Sequence, residues 1–265
     1  MIVLIKGAGD LATGVAHRLR KCGFDIIMTE ISEPTTVRRT VAFSQAVYDK
    51  YTEVEGIKAI LVSEIEEAKN VIREGHIAVM IDEKAKIIKD IKPEVVVDAI
   101  VGKRNLGTNI NDAPIVIALG PGFTVGVDCH CIIETQRGHY LGKAIYSGNA
   151  IPNSGVPGNI GGYTKERIIK ATTNGKILPI SKIGQYVEKG SIVAYVDGVP
   201  ILAEISGIVR GMLQKNITVF KGMKSGDIDP RCEKNHCFTI SDKARSIGGG
   251  VLEGILYLNS MNKDR

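Results

Sequence analysis

Apolar residues occur early in this chain as short runs, and segments with a helical period separate them. Residues 2–5 (Ile-Val-Leu-Ile) form a run too short for a helix and typical of a strand buried on both faces. Residues 11–22 read as a helix that stops at Gly23, and residues 25–29 as the next strand. Further apolar runs lie at 59–62, 77–81, 95–100 and 115–119. Between the first two of these, Ile65, Ala68, Val71 and Ile72 fall on one face of a helix. Strands alternating with helices predict a parallel sheet covered on both faces, an α/β Rossmann-like domain over residues 1–125.

The texture changes after Leu119. Glycine, proline, asparagine and serine break every run, most densely at 147–162, so residues 126–163 read as a β/loop connector. Beyond it lies an internal repeat. Residues 174–190 (NGKILPISKIGQYVEKG) align without gaps on 206–222 (SGIVRGMLQKNITVFKG), with Gly175 on Gly207, Ile177 on Val209 and Val187 on Val219. This predicts a β barrel-sandwich over 164–265, closed by a C-terminal helix. The repeat resembles the biotinyl/lipoyl type of domain, which presents a modified lysine at a hairpin tip. The matching tip here, residues 195–201 (YVDGVPI), has a strong Asp-Gly turn but no lysine. That leaves a structural or docking module.

Composition narrows the function. Aromatic residues make up 5% of the chain and Trp is absent, which argues against stacking platforms and a nucleic-acid partner. The net charge of +5 is spread along the sequence and favours a small anionic ligand only weakly. Lys6 ends the opening apolar run before a signal-peptide core could form, and 113–119 is too short to cross a bilayer. With five cysteines, an odd count, reduced thiols are the simplest reading. The expectation is a cytoplasmic chain with no membrane partner.

Gly7-x-Gly9-x-x-Ala12 lies between a strand and a helix, the pattern of a dinucleotide-binding loop. Glu30, at the end of the second strand, stands where an acidic residue would accept hydrogen bonds from a ribose. Asp10 argues the other way. A carboxylate at a helix start can cap it and would repel a pyrophosphate. A phosphate cradle and a capped turn are both open. Arg38, Arg39 and Lys103 follow expected strands at their carboxyl ends, the edge where open α/β sheets bind ligands.

A second group is His130, Glu134, Arg137 and His139, which follow Gly120-Pro121-Gly122. Their density suits proton transfer or an anion grip, against the plainer reading of a solvated hairpin. Brought to the sheet edge that carries the glycine loop, at least two of them would share a pocket with Gly7 or Gly9. Cys129, Cys131, Cys232 and Cys237, with neighbouring His130 and His236, lack the paired spacing of a zinc site, so no metal is expected. Gly248-Gly249-Gly250 reads as an anion nest at a helix start or as a flexible entry to that helix.

The stretches IKGAGDLATGVAHRL, VRRTVAFSQAV, LGPGFTVGVDCHCIIETQRGHYLG, GDIDPR and ISDKARSIGGGVLE together resemble the YqeB family of accessory proteins of selenium-dependent molybdenum hydroxylases. The resemblance runs from the first strand to about residue 256. Onto this chain the pattern carries Gly7, Gly9, Asp10, Arg38, Arg39, His130, Glu134, Arg137, His139, Asp229, Arg231, Asp242 and Lys243. It implies a role in maturing such a hydroxylase, with that enzyme or its maturation proteins as partner. The ligand it suggests is a molybdopterin-type cofactor or a nucleotide, held through phosphate. A nicotinamide-dependent oxidoreductase, with Gly7, Gly9 and Glu30 on the dinucleotide and His130 or His139 handling a proton, is the first alternative. A non-enzymatic docking scaffold is the second.

Overall fold

The computed structural model describes residues 1–155 and 158–263, with side chains to 261. Residues 156 and 157 of the expected connector, and 264–265 of the expected last domain, lie outside the described residues. The chain forms two compact units. One comprises 1–34, 42–154 and 240–265, and the other 35–41 and 155–239. The C-terminal helix, expected with the β module, belongs to the first unit.

The first unit is built on a nine-stranded sheet. Its strands are β1 (Ile2–Lys6), β2 (Asp25–Glu30), β3 (Tyr51–Val54), β4 (Ile57–Val62), β5 (Ile77–Ile81), β6 (Val95–Asp98), β7 (Ile115–Leu119), β8 (Cys131–Ile133) and β9 (Ala144–Ile145), in the order β3-β4-β5-β2-β1-β6-β7-β8-β9. The inner strands from β4 to β8 run parallel, while β3 and β9 pair antiparallel at the two edges. Val3, Leu4, Ile5, Ile26, Ile27, Val96 and Ile117 are fully buried, each side chain contributing about 1.5–3 kcal/mol of apolar transfer.

The helices are α1 (Asp10–Lys21), α2 (Ala46–Asp49), α3 (Ile65–Arg73), α4 (Ile88–Ile91) and α5 (Asp242–Lys263). No helix lies between β6 and β7 or between β7 and β8. Those connections are rich in Gly, Pro, Asn and Asp, which favour turns over helix. Helix α5 packs on β7, β8 and β9 instead, and also against α1.

The second unit holds two four-stranded antiparallel sheets. One is β10 (Ile168–Lys170), β17 (Lys224–Asp229), β15 (Gly207–Met212) and β12 (Tyr186–Val187). The other is β14 (Val199–Leu202), β13 (Ile192–Val196), β11 (Gly175–Pro179) and β16 (Thr218–Val219). The internal repeat appears as reciprocal pairing. The strand opening each copy pairs with the strand closing the other, Gly175 opposite Val219 and Gly207 opposite Val187.

These findings correct the expected fold class. The Rossmann-like parallel domain is instead a mixed sheet. One edge strand arises from the hairpin turn Glu55-Gly56, both at positive φ (45° and 80°), which folds β3 back on β4. The biotinyl/lipoyl-like barrel-sandwich gives way to two antiparallel sheets whose unit also takes in 35–41. Backbone hydrogen bonds explain that capture, since the Met212 N–H donates to the Val37 carbonyl at 2.7 Å.

Candidate ligand site at the carboxyl edge of the first-unit sheet

The chain leaves β1 for β2 on one side, and β6 lies against the other side of β1. In open α/β sheets the crevice beyond the carboxyl ends at such a reversal is the usual ligand position. Gly7 stands there with φ +90°, its N–H donating to the Thr29 carbonyl at 2.8 Å. A Cβ at Gly7 would meet the Ala99 carbonyl oxygen and Ile100 Cα at 3.2 Å, so only glycine fits beside the loop leaving β6. Gly9 is the N-cap of α1, which makes Asp10 the first helical residue rather than the cap. Ala12 is fully buried in α1.

Glu30 holds this loop in place. Its Oε2 accepts the Ala8 N–H at 2.9 Å and its Oε1 accepts the Ile31 N–H at 2.8 Å. Burial pushes its pKa up, and the two backbone N–H groups oppose that shift. Thr13 adds a second brace, with its Oγ1 accepting the Phe43 N–H at 2.8 Å.

Three residues absent from the expected site complete the edge. Lys6, the last residue of β1, is 4% exposed, and its Nζ donates to Thr108 Oγ1 at 2.6 Å. The Thr108 hydroxyl donates to Asp98 Oδ2 at 2.6 Å, and Asp98 Oδ1 accepts the Ile100 N–H at 3.1 Å. An ammonium carries three donors, and Thr108 takes one of them. The sequence signal available for Lys6 was a charge closing a fully apolar strand directly before a glycine loop. Val101 and Lys103, in the loop after β6, adopt positive φ of 57° and 62°. For a β-branched residue that is a strained conformation of the kind found at functional loops.

The second expected group does not assemble here. His130 lies at the opposite edge of the sheet, in an open groove of about 850 Å³ lined also by Pro93, Glu94 and Pro114, which precede β6 and β7. Its Nδ1 accepts the Val116 N–H at 3.0 Å, and burial lowers its pKa. Glu134 follows β8, three strands from β1 or roughly 14 Å at about 4.8 Å per strand. It is 1% exposed, and its carboxylate is engaged by the N–H groups of Gln136 (2.7 Å) and Ile151 (2.8 Å), which close the 134–151 loop. Arg137 is exposed and grips Asp242. His139 is exposed, its ring edge-on to Tyr140 at 5.0 Å. A pocket shared by His130 and the glycine loop is therefore not formed.

Arg38 and Arg39 belong to the second unit. Lys103 is exposed on the loop after β6. The glycine triad is neither nest nor helix entry. It lies inside α5, where Gly248 passes the Gly14 carbonyl of α1 and Gly250 the Gly142 carbonyl. Among the described residues no group of three or more His, Cys, Asp or Glu is placed to hold a metal. Nor is any helix among them long and apolar enough to cross a membrane.

Fold and site thus define a mixed α/β protein with a glycine loop at the carboxyl edge of its central strand, joined to a β unit with an internal repeat. The chain is 49% identical over 257 residues, 97% of its length, to YqeB of Escherichia coli (strain K12), an uncharacterized protein. It belongs to the YqeB family. It spans about half of that relative, 48% of its length. No family model matches the chain. Among solved structures it is similar to an aspartoacylase family protein of Mesorhizobium loti, at 10% identity and TM-score 0.27 over 86% of this chain and 84% of that one. It is also similar to a succinylglutamate desuccinylase of Silicibacter sp. TM1040, at 12% identity and TM-score 0.24 over 86% and 84%. Both likenesses are too weak to identify a fold.

Proposed function

We propose that the chain binds a phosphate-bearing or nucleotide-bearing cofactor of molybdopterin type at the carboxyl edge of the first-unit sheet, and serves in maturing selenium-dependent molybdenum hydroxylases. The supporting observation is Lys6, a buried ammonium at the end of the central strand, next to a glycine loop and with donors beyond the one given to Thr108. A phosphate oxygen would satisfy those donors, and Gly9, the N-cap of α1, brings no side chain to the helix start. The family resemblance supplies the hydroxylase. Binding and delivery are favoured over redox catalysis because His130 lies at the far edge and Glu134 is committed to backbone N–H groups.

The test is mass spectrometry of small molecules released from native protein, compared with Lys6→Met and Gly9→Val. A phosphorylated cofactor present in the parent and lost from both variants, with unfolding transitions retained, supports the reading. Full retention in both variants refutes it.

A further inference from the structure

The second unit contains a concentration of charge with no part in the site above. On β15, Val209 pairs with Ile228 and Gly211 with Asp227, so Arg210 between them is the extra residue of a β-bulge. Bulges re-aim a side chain and recur beside functional sites. Arg210 is 8% exposed. Its Nε is buried with no hydrogen-bond partner among the described residues. The carboxylate it pairs with, through Asp229 Oδ2, stands 3.8 Å away.

The neighbouring acids do not satisfy it. Asp229 is taken by Arg231, whose Nη2 and Nε donate at 2.6 and 2.9 Å and whose backbone N–H adds a third bond at 3.1 Å. Asp227 Oδ2 accepts from Arg167 Nη1 at 3.1 Å. Arg38, 6% exposed, is anchored by the carbonyls of His236 (3.0 Å) and Thr239 (3.1 Å). Burial, followed by the charge of Arg38, lowers the Arg210 pKa. A network serving stability alone would spend its donors, because more than about 90% of buried polar groups find partners. This one leaves Arg210 Nε, Arg167 Nε and Asp227 Oδ1 without any.

We propose that Arg210, with Arg38 beside it, forms a binding site for a phosphate-type oxyanion, either free or as the terminal group of a phosphate ester. The planar fork of a guanidinium matches two oxygens of such a group, and an oxyanion would give the buried Arg210 Nε the acceptor it lacks. This site is independent of the cofactor reading for the first unit.

The test is thermal unfolding of the full chain titrated with inorganic phosphate, at an ionic strength held constant with chloride. A parallel titration uses glycerol 3-phosphate. The expected result is a saturable rise in Tm that Arg210→Met abolishes. A rise with inorganic phosphate alone assigns the free ion, and a rise with both assigns the esterified group. No rise beyond that in chloride, or an equal rise in Arg210→Met, overturns the proposal. Should Arg210→Met not fold, the Arg210 Nε–H resonance of the parent decides the matter. It must move with phosphate, and a stationary resonance overturns the site.

Discussion

Arg137 and Asp242 are joined by two parallel hydrogen bonds, Nη1 to Oδ2 at 2.7 Å and Nη2 to Oδ1 at 2.8 Å. They tie the loop after β8 to the first residue of α5, so Arg137 acts as a strap rather than as part of the glycine-loop site. Both side chains are substantially exposed, and exposed pairs contribute about 0.2–1 kcal/mol. Arg137→Ala should lower stability by no more than about 1 kcal/mol in urea unfolding and leave ligand retention unchanged. Loss of ligand at unchanged stability would return Arg137 to the site.

The glycines of α5 should separate sharply on substitution. A Cβ at Gly250 would collide with the Gly142 carbonyl oxygen and lie 2.9 Å from Ile133 Cγ2. At Gly249 the nearest atoms are those of Arg18 at 3.9 Å. Gly249→Ala should therefore stabilise by about 0.5–1 kcal/mol through helix propensity. Gly250→Ala should destabilise by about 1–3 kcal/mol through overpacking. Equal effects in chemical denaturation would contradict the close approach.

Gly14 tests the α1–α5 contact from the other side. A Cβ there would fall 2.6 Å from Ala244 Cβ and 2.8 Å from the Ala244 carbonyl oxygen. Gly14→Val should cost about 1–3 kcal/mol or more, with only partial recovery in the double variant with Ala244→Gly, because the carbonyl remains. Full recovery would show that side chains alone make the contact.

His130 should make the fold acid-sensitive. Burial holds its pKa below the usual 6.5, so the unfolded chain binds the proton more tightly than the folded one. Stability should be complete above about pH 6.5 and fall as the pH drops through 6.5 toward the lower folded value. His17 shifts the same way, also through burial. His130→Asn, whose amide oxygen can accept the Val116 N–H, should reduce the stability difference between pH 8 and pH 5 without removing it. An unchanged difference would show that His130 titrates normally.

Thiol labelling should split the cysteines. Burial pushes the Cys129 and Cys131 thiols up to about 12 and raises that of Cys237, while Cys22 and Cys232 are exposed. The thiolate is the reactive form. At neutral pH the native protein should therefore label quickly at Cys22 and Cys232, and at the other three only on unfolding. Rapid reaction of Cys129 in the folded state would contradict its burial.

The inner strands were legible because β5 and β7 are unbroken runs of Ile, Val, Leu, Ala and Met, and β1 and β6 are such runs up to their last residues, Lys6 and Asp98, as strands covered on both faces require. Strand β3 was not, since Tyr51-Thr52-Glu53-Val54 is an exposed edge with little apolar signal, and it turned a parallel expectation into a mixed sheet. The glycine loop follows β1 and Glu30 closes β2, while Lys6, Asp98 and Thr108 were missed. They meet through a pairing between β1 and β6 that neither strand announces alone.

The sequence by itself determined the short-range matters: the apolar runs that become β1, β2 and β4 to β7, the start of α1 to within one residue, and the correspondence of 174–190 with 206–222. Each follows from propensity, periodicity or turn chemistry within a few residues. Only the tertiary structure decided which distant segments meet. It took 35–41 into the second unit, laid the glycines of α5 against α1, and carried His130 to the edge opposite Gly7. Those outcomes depend on hydrogen bonds and close backbone approaches between residues far apart in the chain, and local sequence does not encode a partner it has yet to meet.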